Sequence, residues 1–332
     1  METRRPLIVD VKRGSLEDGP GIRTVVFFKG CPLRCVFCHN PEAQESAPEL
    51  AFLRERCLEC GACARACPLG AIDLGSASRV DRTACDLCGL CAEACPAGAL
   101  RTIGRFWPVD ELVKLLLRDA AFYRHSRGGV TFSGGECTMF PGYLEVVLQS
   151  LKERQVHVTL ETSGWFDYDI FAEKILPYID LVLFDVKLAD REASLRYLGQ
   201  PGDRMFENLG RLVRGGAVEV VPRIPLIPGI TDSEENLAAI VSMLRGLGAS
   251  QVGLLPYNPL GLAMYPQLGK PVPDLPSGFA TPEREKEVLG AFHVIVQSPP
   301  PYPGIMSETP RRICKTIDDN RTHFGRNWRE SP

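Results

Sequence analysis

The 332-residue chain has no apolar run approaching the ~18 residues that a bilayer-spanning helix needs. Its opening, METRRPLIVD, lacks the apolar stretch and small-residue cleavage site of a signal peptide, so the expected location is the cytoplasm, with no membrane involved. Neither sign of charge dominates: 38 Lys and Arg against 41 Asp and Glu leave a net −3, too balanced for a nucleic-acid surface. Histidine is scarce, five in all, and shows no metal-binding spacing. Two things are present in quantity. Hydrophobic residues, at 45%, can fill a core, and thirteen cysteines stand in a compartment that disfavours structural disulfides. Thiols in that number point to metal. Three lie at 31, 35 and 38, eight fall between 57 and 95, and only Cys137 and Cys314 stand apart.

Apolar runs and turn signals predict six strands, at 22–30, 130–135, 156–164, 180–187, 218–225 and 251–258. Between them lie expected helices near 109–126, 141–154, 168–177, 205–215 and 233–248, the last opened by a capping-type Thr231–Asp232–Ser233–Glu234. Such alternation with nearly all-apolar strands argues for a parallel sheet covered by helices. Polar or unusual residues cluster where each strand ends, as in α/β folds that carry their sites on that edge. The segment from about 40 to 105 breaks the pattern with short Cys-, Gly- and Pro-punctuated stretches and reads as an insert held by its ligands. From Ser298 onward, six prolines in 35 residues and no periodicity suggest a disordered or loosely attached tail.

Within the insert, Cys57-x2-Cys60-x2-Cys63-x3-Cys67-Pro68 recurs as Cys85-x2-Cys88-x2-Cys91-x3-Cys95-Pro96. This is the spacing of the bacterial two-cluster ferredoxin, in which the fourth cysteine of each run serves the other cluster. Cys57, Cys60, Cys63 and Cys95 are therefore assigned to one [4Fe–4S] cluster and Cys85, Cys88, Cys91 and Cys67 to a second. Paired structural zinc sites are the alternative, but three-in-a-row spacing and a terminal Cys-Pro are not typical of them.

The first strand runs into Cys31-Pro-Leu-Arg-Cys35-Val-Phe37-Cys38. Three thiolates leave one iron of a cubane open, as a catalytic zinc keeps a free position, unless Cys137 or Cys314 closes the site. This loop resembles the signature of the radical S-adenosylmethionine (SAM) enzymes. With Asp18-Gly-Pro-Gly-Ile-Arg23 before it and the eight-cysteine insert after it, the chain is more closely similar to the glycyl-radical-enzyme activating enzymes, over residues ~8–296.

The resemblance implies a partial (β/α)6 TIM-like radical SAM barrel with an inserted bacterial-type 2[4Fe–4S] ferredoxin domain. Its expected divisions are 1–45, 46–105 for the insert, 106–297 for the rest of the barrel and 298–332 for the tail. It implies three [4Fe–4S] clusters, SAM and in some members a monovalent cation. Ser133-Gly134-Gly135-Glu136 would bind the SAM amino group; the glycines admit a close backbone approach and Glu136 can accept from an ammonium. The family usually has proline next, where this chain has Cys137, expected as a small buried thiol. Glu161, Thr162, Ser163, Asp185 and Lys187 would surround the SAM carboxylate and ribose, with the last two converging from one face of a strand. Arg223, Asn236 and Tyr257 would complete the pocket, and Phe37 would cover the adenine or sit in the core.

In the family, reductive cleavage of SAM gives a 5′-deoxyadenosyl radical that takes the pro-S hydrogen from a backbone glycine of a large glycyl radical enzyme. Asp18 and Arg23 are expected to position that glycine loop, or to form a simple turn. The resemblance also implies anaerobic work, a flavodoxin or ferredoxin donor and a monomer. Two other readings stay open from the residues: a radical SAM enzyme acting on a small molecule or other peptide, and an electron-transfer protein with three closed clusters.

Overall fold

Six apolar runs of the chain lie side by side as parallel strands. The computed structural model describes residues 5–249 and 251–281 and, singly, 283, 286, 287 and 290. In chain order the elements are β1 (Leu7–Ser15), β2 (Arg23–Lys29), β3 (Glu49–Phe52), α1 (Ala62–Ala66), α2 (Leu90–Glu93), β4 (Leu100–Ile103), α3 (Val109–Leu116), α4 (Ala120–Ser126), β5 (Gly129–Gly134) and α5 (Pro141–Lys152). There follow β6 (His157–Thr162), α6 (Tyr168–Lys174), β7 (Leu181–Asp185), α7 (Arg191–Leu198), α8 (Asp203–Gly215), β8 (Glu219–Pro225), α9 (Glu234–Leu247), β9 (Gly253–Leu255) and α10 (Met264–Gln267).

The main sheet has the order β1-β2-β5-β6-β7-β8-β9. From β2 to β9 every neighbouring pair is parallel. These are the six expected strands, and helical crossovers join them. β5 buries Gly129–Ser133 and β7 buries Leu181–Phe184, and Val130, Phe132, Val182 and Phe184 share one core with the helix residues Leu144, Leu148 and Leu209. Phe28, Val130, Phe132, Leu144, Leu148, Val158, Leu160, Leu209 and Ile240 are all without exposure in one continuous core. Each contributes about 1.5–3 kcal/mol by leaving water.

Three features depart from the sequence expectation. β1 pairs antiparallel with β2 at the sheet edge, where Asp10, Lys12 and Arg13 replace an apolar run because one side faces solvent. The expected helix 109–126 is two, α3 and α4, separated by a tighter turn over Leu117–Asp119. An additional helix, α7, precedes α8 in the β7–β8 crossover.

The segment around the eight cysteines has its own two-stranded sheet, with Glu49 opposite Ile103 and Phe52 opposite Leu100. Alternation splits its side chains between two faces. Leu50, Phe52 and Leu100 pack with the cysteines, and Ala51, Leu53 and Ile103 pack on Leu268, Val9 and Met264. No helix among the described residues is long and apolar enough to cross a membrane. The tail 298–332, Cys314 included, lies outside the described residues.

Candidate active site

The cysteine loop leaves the C-terminal end of β2 and is fixed from three sides. Cys31 N donates to Gln44 O at 3.0 Å, and Arg34 N and Val36 N donate to Leu198 O and Tyr197 O at 2.8 and 3.0 Å. The last two acceptors are carbonyls at the C-terminal end of α7, which helix geometry leaves without partners in the helix. From the third side, Tyr265 Oη donates to Cys38 O at 3.0 Å. Burial pushes the Cys31 thiol up to about 12, and burial likewise raises Cys35 and Cys38. Such thiols become thiolates when a metal takes the proton's place. Leu33, Phe37 and Tyr257 form an apolar patch against Cys31 and Cys35.

Beside the loop, the turn after β5 is stitched to its stem. Gly135 N donates to Phe28 O and Glu136 N to Gly30 O, both at 2.8 Å. Gly134 has φ +99, and a Cβ on Gly135 would lie 2.1 Å from Gly30 O. The close approach that these two glycines permit is thus to the stem of the cysteine loop. Glu136 is fully buried. Its Oε1 accepts from Thr138 Oγ1 at 2.7 Å and Thr162 Oγ1 at 2.8 Å, and its Oε2 from Ser163 N at 2.9 Å and Ser163 Oγ at 2.7 Å. Four donors fill the carboxylate's four acceptor positions. Glu136, Thr162 and Ser163 therefore lock the ends of β5 and β6 together instead of presenting free polar atoms. Cys137 is buried in the core with its Sγ 3.9 Å from Phe132 O and Glu161 O, the small buried thiol expected of it.

The strand ends next door carry a chain of charges. Ser133 Oγ donates to Glu161 Oε2 at 2.5 Å, and Arg223 Nη1 donates to Glu161 Oε1 at 2.7 Å. Arg223 also reaches Asp185 Oδ1 through Nε and Nη2, and Lys187 Nζ reaches Asp185 Oδ2 at 3.2 Å. Two acids and two bases cancel. Burial raises Glu161, with Arg223 opposing the rise, whereas for Asp185 burial is outweighed by Lys187 and Arg223, which hold it below the usual range. Lys187 is raised: burial works against its charge, but Asp185 and the nearby Cys35 and Cys31 prevail.

Other expected residues have different tasks. Arg23 is fully buried, donating through Nε to Thr131 Oγ1 at 2.6 Å, through Nη1 to Pro20 O at 3.0 Å and through Nη2 to Val130 O at 2.6 Å. It pins the Asp18–Arg23 turn to β5, and burial lowers it to about 10. Asp18 accepts from Ser15 Oγ, and its backbone carbonyl takes Thr131 Oγ1 at 2.7 Å. Asn236 accepts from Ala189 N at 2.9 Å and donates to Lys187 O at 3.0 Å and Thr231 O at 2.9 Å, so it braces Lys187 from behind. Tyr257 Oη donates to Pro276 O at 2.7 Å.

Sequence reasoning missed α7 and Tyr265. The first was signalled by Asp190, whose side chain caps the helix by accepting from Ala193 N, and by Gly199 just past its end.

In the insert, Cys57, Cys60, Cys63 and Cys95 line one cavity with Phe52 and Leu100. Cys91 lies near enough to Cys85 and Cys67 for their charges to raise it, after burial. The fourth cysteine of each run thus stands with the other run. Ala71 N donates to Cys67 Sγ at 3.3 Å and Ala99 N to Cys95 Sγ at 3.2 Å, and for Cys95 burial is outweighed by such backbone donors, which hold the thiol below its ordinary value. Among the described residues, no three His, Cys, Asp or Glu side chains close around a point for a single metal ion.

Residues 25–241 match the family profile described as the Radical SAM superfamily. Over 273 residues the chain is 41% identical to the benzylsuccinate synthase activating enzyme of Thauera aromatica, covering 80% of this chain and 82% of that one. It is 40% identical over 271 residues to the isethionate sulfite-lyase activating enzyme of Nitratidesulfovibrio vulgaris, at 80% and 88% coverage. To the indoleacetate decarboxylase activating enzyme of Tractidigestivibacter scatoligenes it is 38% identical over 276 residues, at 80% and 87%.

Proposed function

Since the chain belongs to the radical SAM superfamily and, within it, to the glycyl-radical-enzyme activating enzymes, we propose that it abstracts a glycine Cα hydrogen from a large partner enzyme at the rim of a partial (β/α)6 barrel. The observation that carries the reading is the presence of three half-buried thiols on one loop with the charge-balanced Glu161–Arg223–Asp185–Lys187 chain next to it. The donor set fits an iron–sulfur cluster: all three side chains are thiols, they hang on a backbone held by five hydrogen-bonded contacts, and the Lys187 ammonium is close enough to favour the charged form of Cys35 and Cys31. When bound, that cluster supplies the electron that cleaves SAM to methionine and a 5′-deoxyadenosyl radical.

The chain's own residues do the holding. Lys187 and Arg223 receive a carboxylate, while Glu161 and Asp185 keep both cations in place. The Gly134–Gly135 backbone, rigidified by Glu136, faces the methionine ammonium, and Phe37 and Tyr257 supply an apolar wall. Positioned reactants react as one molecule, and an enclosed pocket keeps competing hydrogen donors away. Asp18, half-buried at the turn that Arg23 pins, orders the entry for the glycine loop. Arg223 and Lys187 between them hold both oxygens of Asp185.

Residues 46–105 act in this reading as a two-cluster ferredoxin-like domain, with one cluster on Cys57, Cys60, Cys63 and Cys95 and the other on Cys67, Cys85, Cys88 and Cys91. A flavodoxin or ferredoxin is the donor. Anaerobic incubation of the reconstituted chain with SAM, a reductant and a candidate partner glycyl radical enzyme tests the proposal. A glycine-centred doublet in the electron paramagnetic resonance spectrum is expected. SAM cleavage without that doublet would favour a small-molecule or other peptide substrate.

A further inference from the structure

We propose that the chain sets the Cys67, Cys85, Cys88 and Cys91 thiols as the inner of its two four-cysteine sites, nearest the three-thiol loop, and the Cys57, Cys60, Cys63 and Cys95 thiols as the outer one. The inference rests on the cluster-binding reading above and orders its parts, and so the sequence in which an electron would meet them.

β3 runs from the three-thiol loop outward. Its starting residue, Glu49, accepts from Lys29 Nζ at 2.6 Å and from Lys270 Nζ at 2.8 Å. Lys29 is fully buried and stands two residues before Cys31, so the Glu49 end of the strand is fastened at the stem of the three-thiol loop. From there the strand climbs away by ~3.3 Å per residue. Phe52, at the far end, and its partner Leu100 line the cavity of Cys57, Cys60, Cys63 and Cys95. The other set sits over the near end. Arg82, three residues before Cys85, donates through Nη1 to Leu50 O at 2.8 Å, and the Cβ position of Gly89, next to Cys88, is 3.6 Å from Thr102 Oγ1, opposite Leu50.

A brace reaches only the near set. Tyr265 Oη holds Cys38 O, and two residues on, Gln267 O accepts from Arg82 Nη2 at 3.3 Å. Gly269, with φ +66, makes room for that guanidinium: a Cβ there would lie 2.4 Å from Arg82 Nε. One short helix, α10, thereby ties the backbone of a loop cysteine to the side chain that precedes Cys85. The arginine in the same place before the far run, Arg54, donates through Nη2 to Ala77 O at 3.3 Å, and Arg79 donates to Leu74 O at 2.6 Å and to Cys57 Sγ at 3.7 Å, all inside the insert.

The test measures spin relaxation of the SAM-bound loop cluster in the full chain, reconstituted anaerobically with iron and sulfide and reduced with dithionite. A neighbouring paramagnetic cluster speeds that relaxation steeply as distance falls. The pair Cys85→Ala/Cys88→Ala is expected to slow it several-fold, and the pair Cys57→Ala/Cys60→Ala to leave it close to the wild-type rate. Arg82→Met, which keeps every cysteine, is expected to retain full iron with weaker enhancement, and it serves if a paired variant does not fold. Slowing confined to the Cys57/Cys60 pair, or equal in both pairs, would overturn the order. Iron for a single cluster in the wild-type chain would overturn the cluster reading itself, and iron analysis reports that before any relaxation is recorded.

Discussion

Arg223 places two nitrogens on one oxygen of Asp185, Nε at 3.1 Å and Nη2 at 2.8 Å, and spends its third on Glu161 two strands away. The fork fits this only because guanidinium is planar with fixed donor directions. With side-chain exposures of 12% for Arg223 and Glu161 and 25% for Asp185, the acids have little water to fall back on. Arg223→Met should therefore cost about 3–5 kcal/mol in unfolding free energy, the usual penalty for orphaning a buried charge. Arg223→Lys keeps the charge and loses the fork, so it should fold better than the Met variant yet bind SAM at least ~10-fold more weakly. Denaturant unfolding and a SAM titration read the two effects separately.

Glu136→Gln puts an amide where four donors point. One carboxylate oxygen becomes an NH2 group facing two donors, either Thr138 and Thr162 or the Ser163 backbone and hydroxyl. Losing those bonds in a buried site should cost about 1–3 kcal/mol. If Glu136 served only a ligand, the apo chain would unfold at the wild-type denaturant concentration; a lower midpoint is expected.

Much of this was legible in the sequence where spacing alone carries the chemistry. The six parallel strands announced themselves as apolar runs, and the crossed cysteine sets followed from a repeat. β1 escaped notice because an edge strand carrying Asp10, Lys12 and Arg13 has no apolar run to detect. The tasks of Glu136, Asn236 and Arg23 were hidden for a different reason. A polar side chain near a strand end can face a ligand or its neighbours, and only the hydrogen-bond partners in three dimensions decide which. Tyr265, 227 residues from Cys38, had no local signal at all.

Asp119 makes acid sensitivity testable away from the thiols. Arg13 binds both its oxygens, with Nε at 2.8 Å from Oδ2, and Thr24 Oγ1 adds a bond at 2.8 Å. The hydrogen bond from Arg13 is the main cause that holds this carboxyl below its ordinary 3.8, aided by Thr24 and opposed by burial. A depressed folded value means the unfolded chain binds the proton first, so the stability from this group is present above 3.8 and disappears as pH falls through the folded value. Asp119→Asn should be less stable than wild type at neutral pH. The gap should close below 3.8 in an acid unfolding series, and a constant gap across that range would contradict the argument.

Tyr265→Phe removes one hydroxyl and keeps the ring. The lost bond to Cys38 O, at 3.0 Å in a buried setting, is worth about 1 kcal/mol, or roughly fivefold in an equilibrium. The hydrogen bond from Tyr265 goes to the Cys38 backbone, so no thiol is removed and the loop should still take up iron. The consequence expected is faster escape: a chelator should draw iron from the loop site several-fold sooner, in the kinetic phase that SAM slows, while the phases from the eight-cysteine insert keep their rates. Uniform acceleration of every phase would mean that α10 merely supports the fold as a whole, whereas a selective change ties this tyrosine to the three-thiol loop.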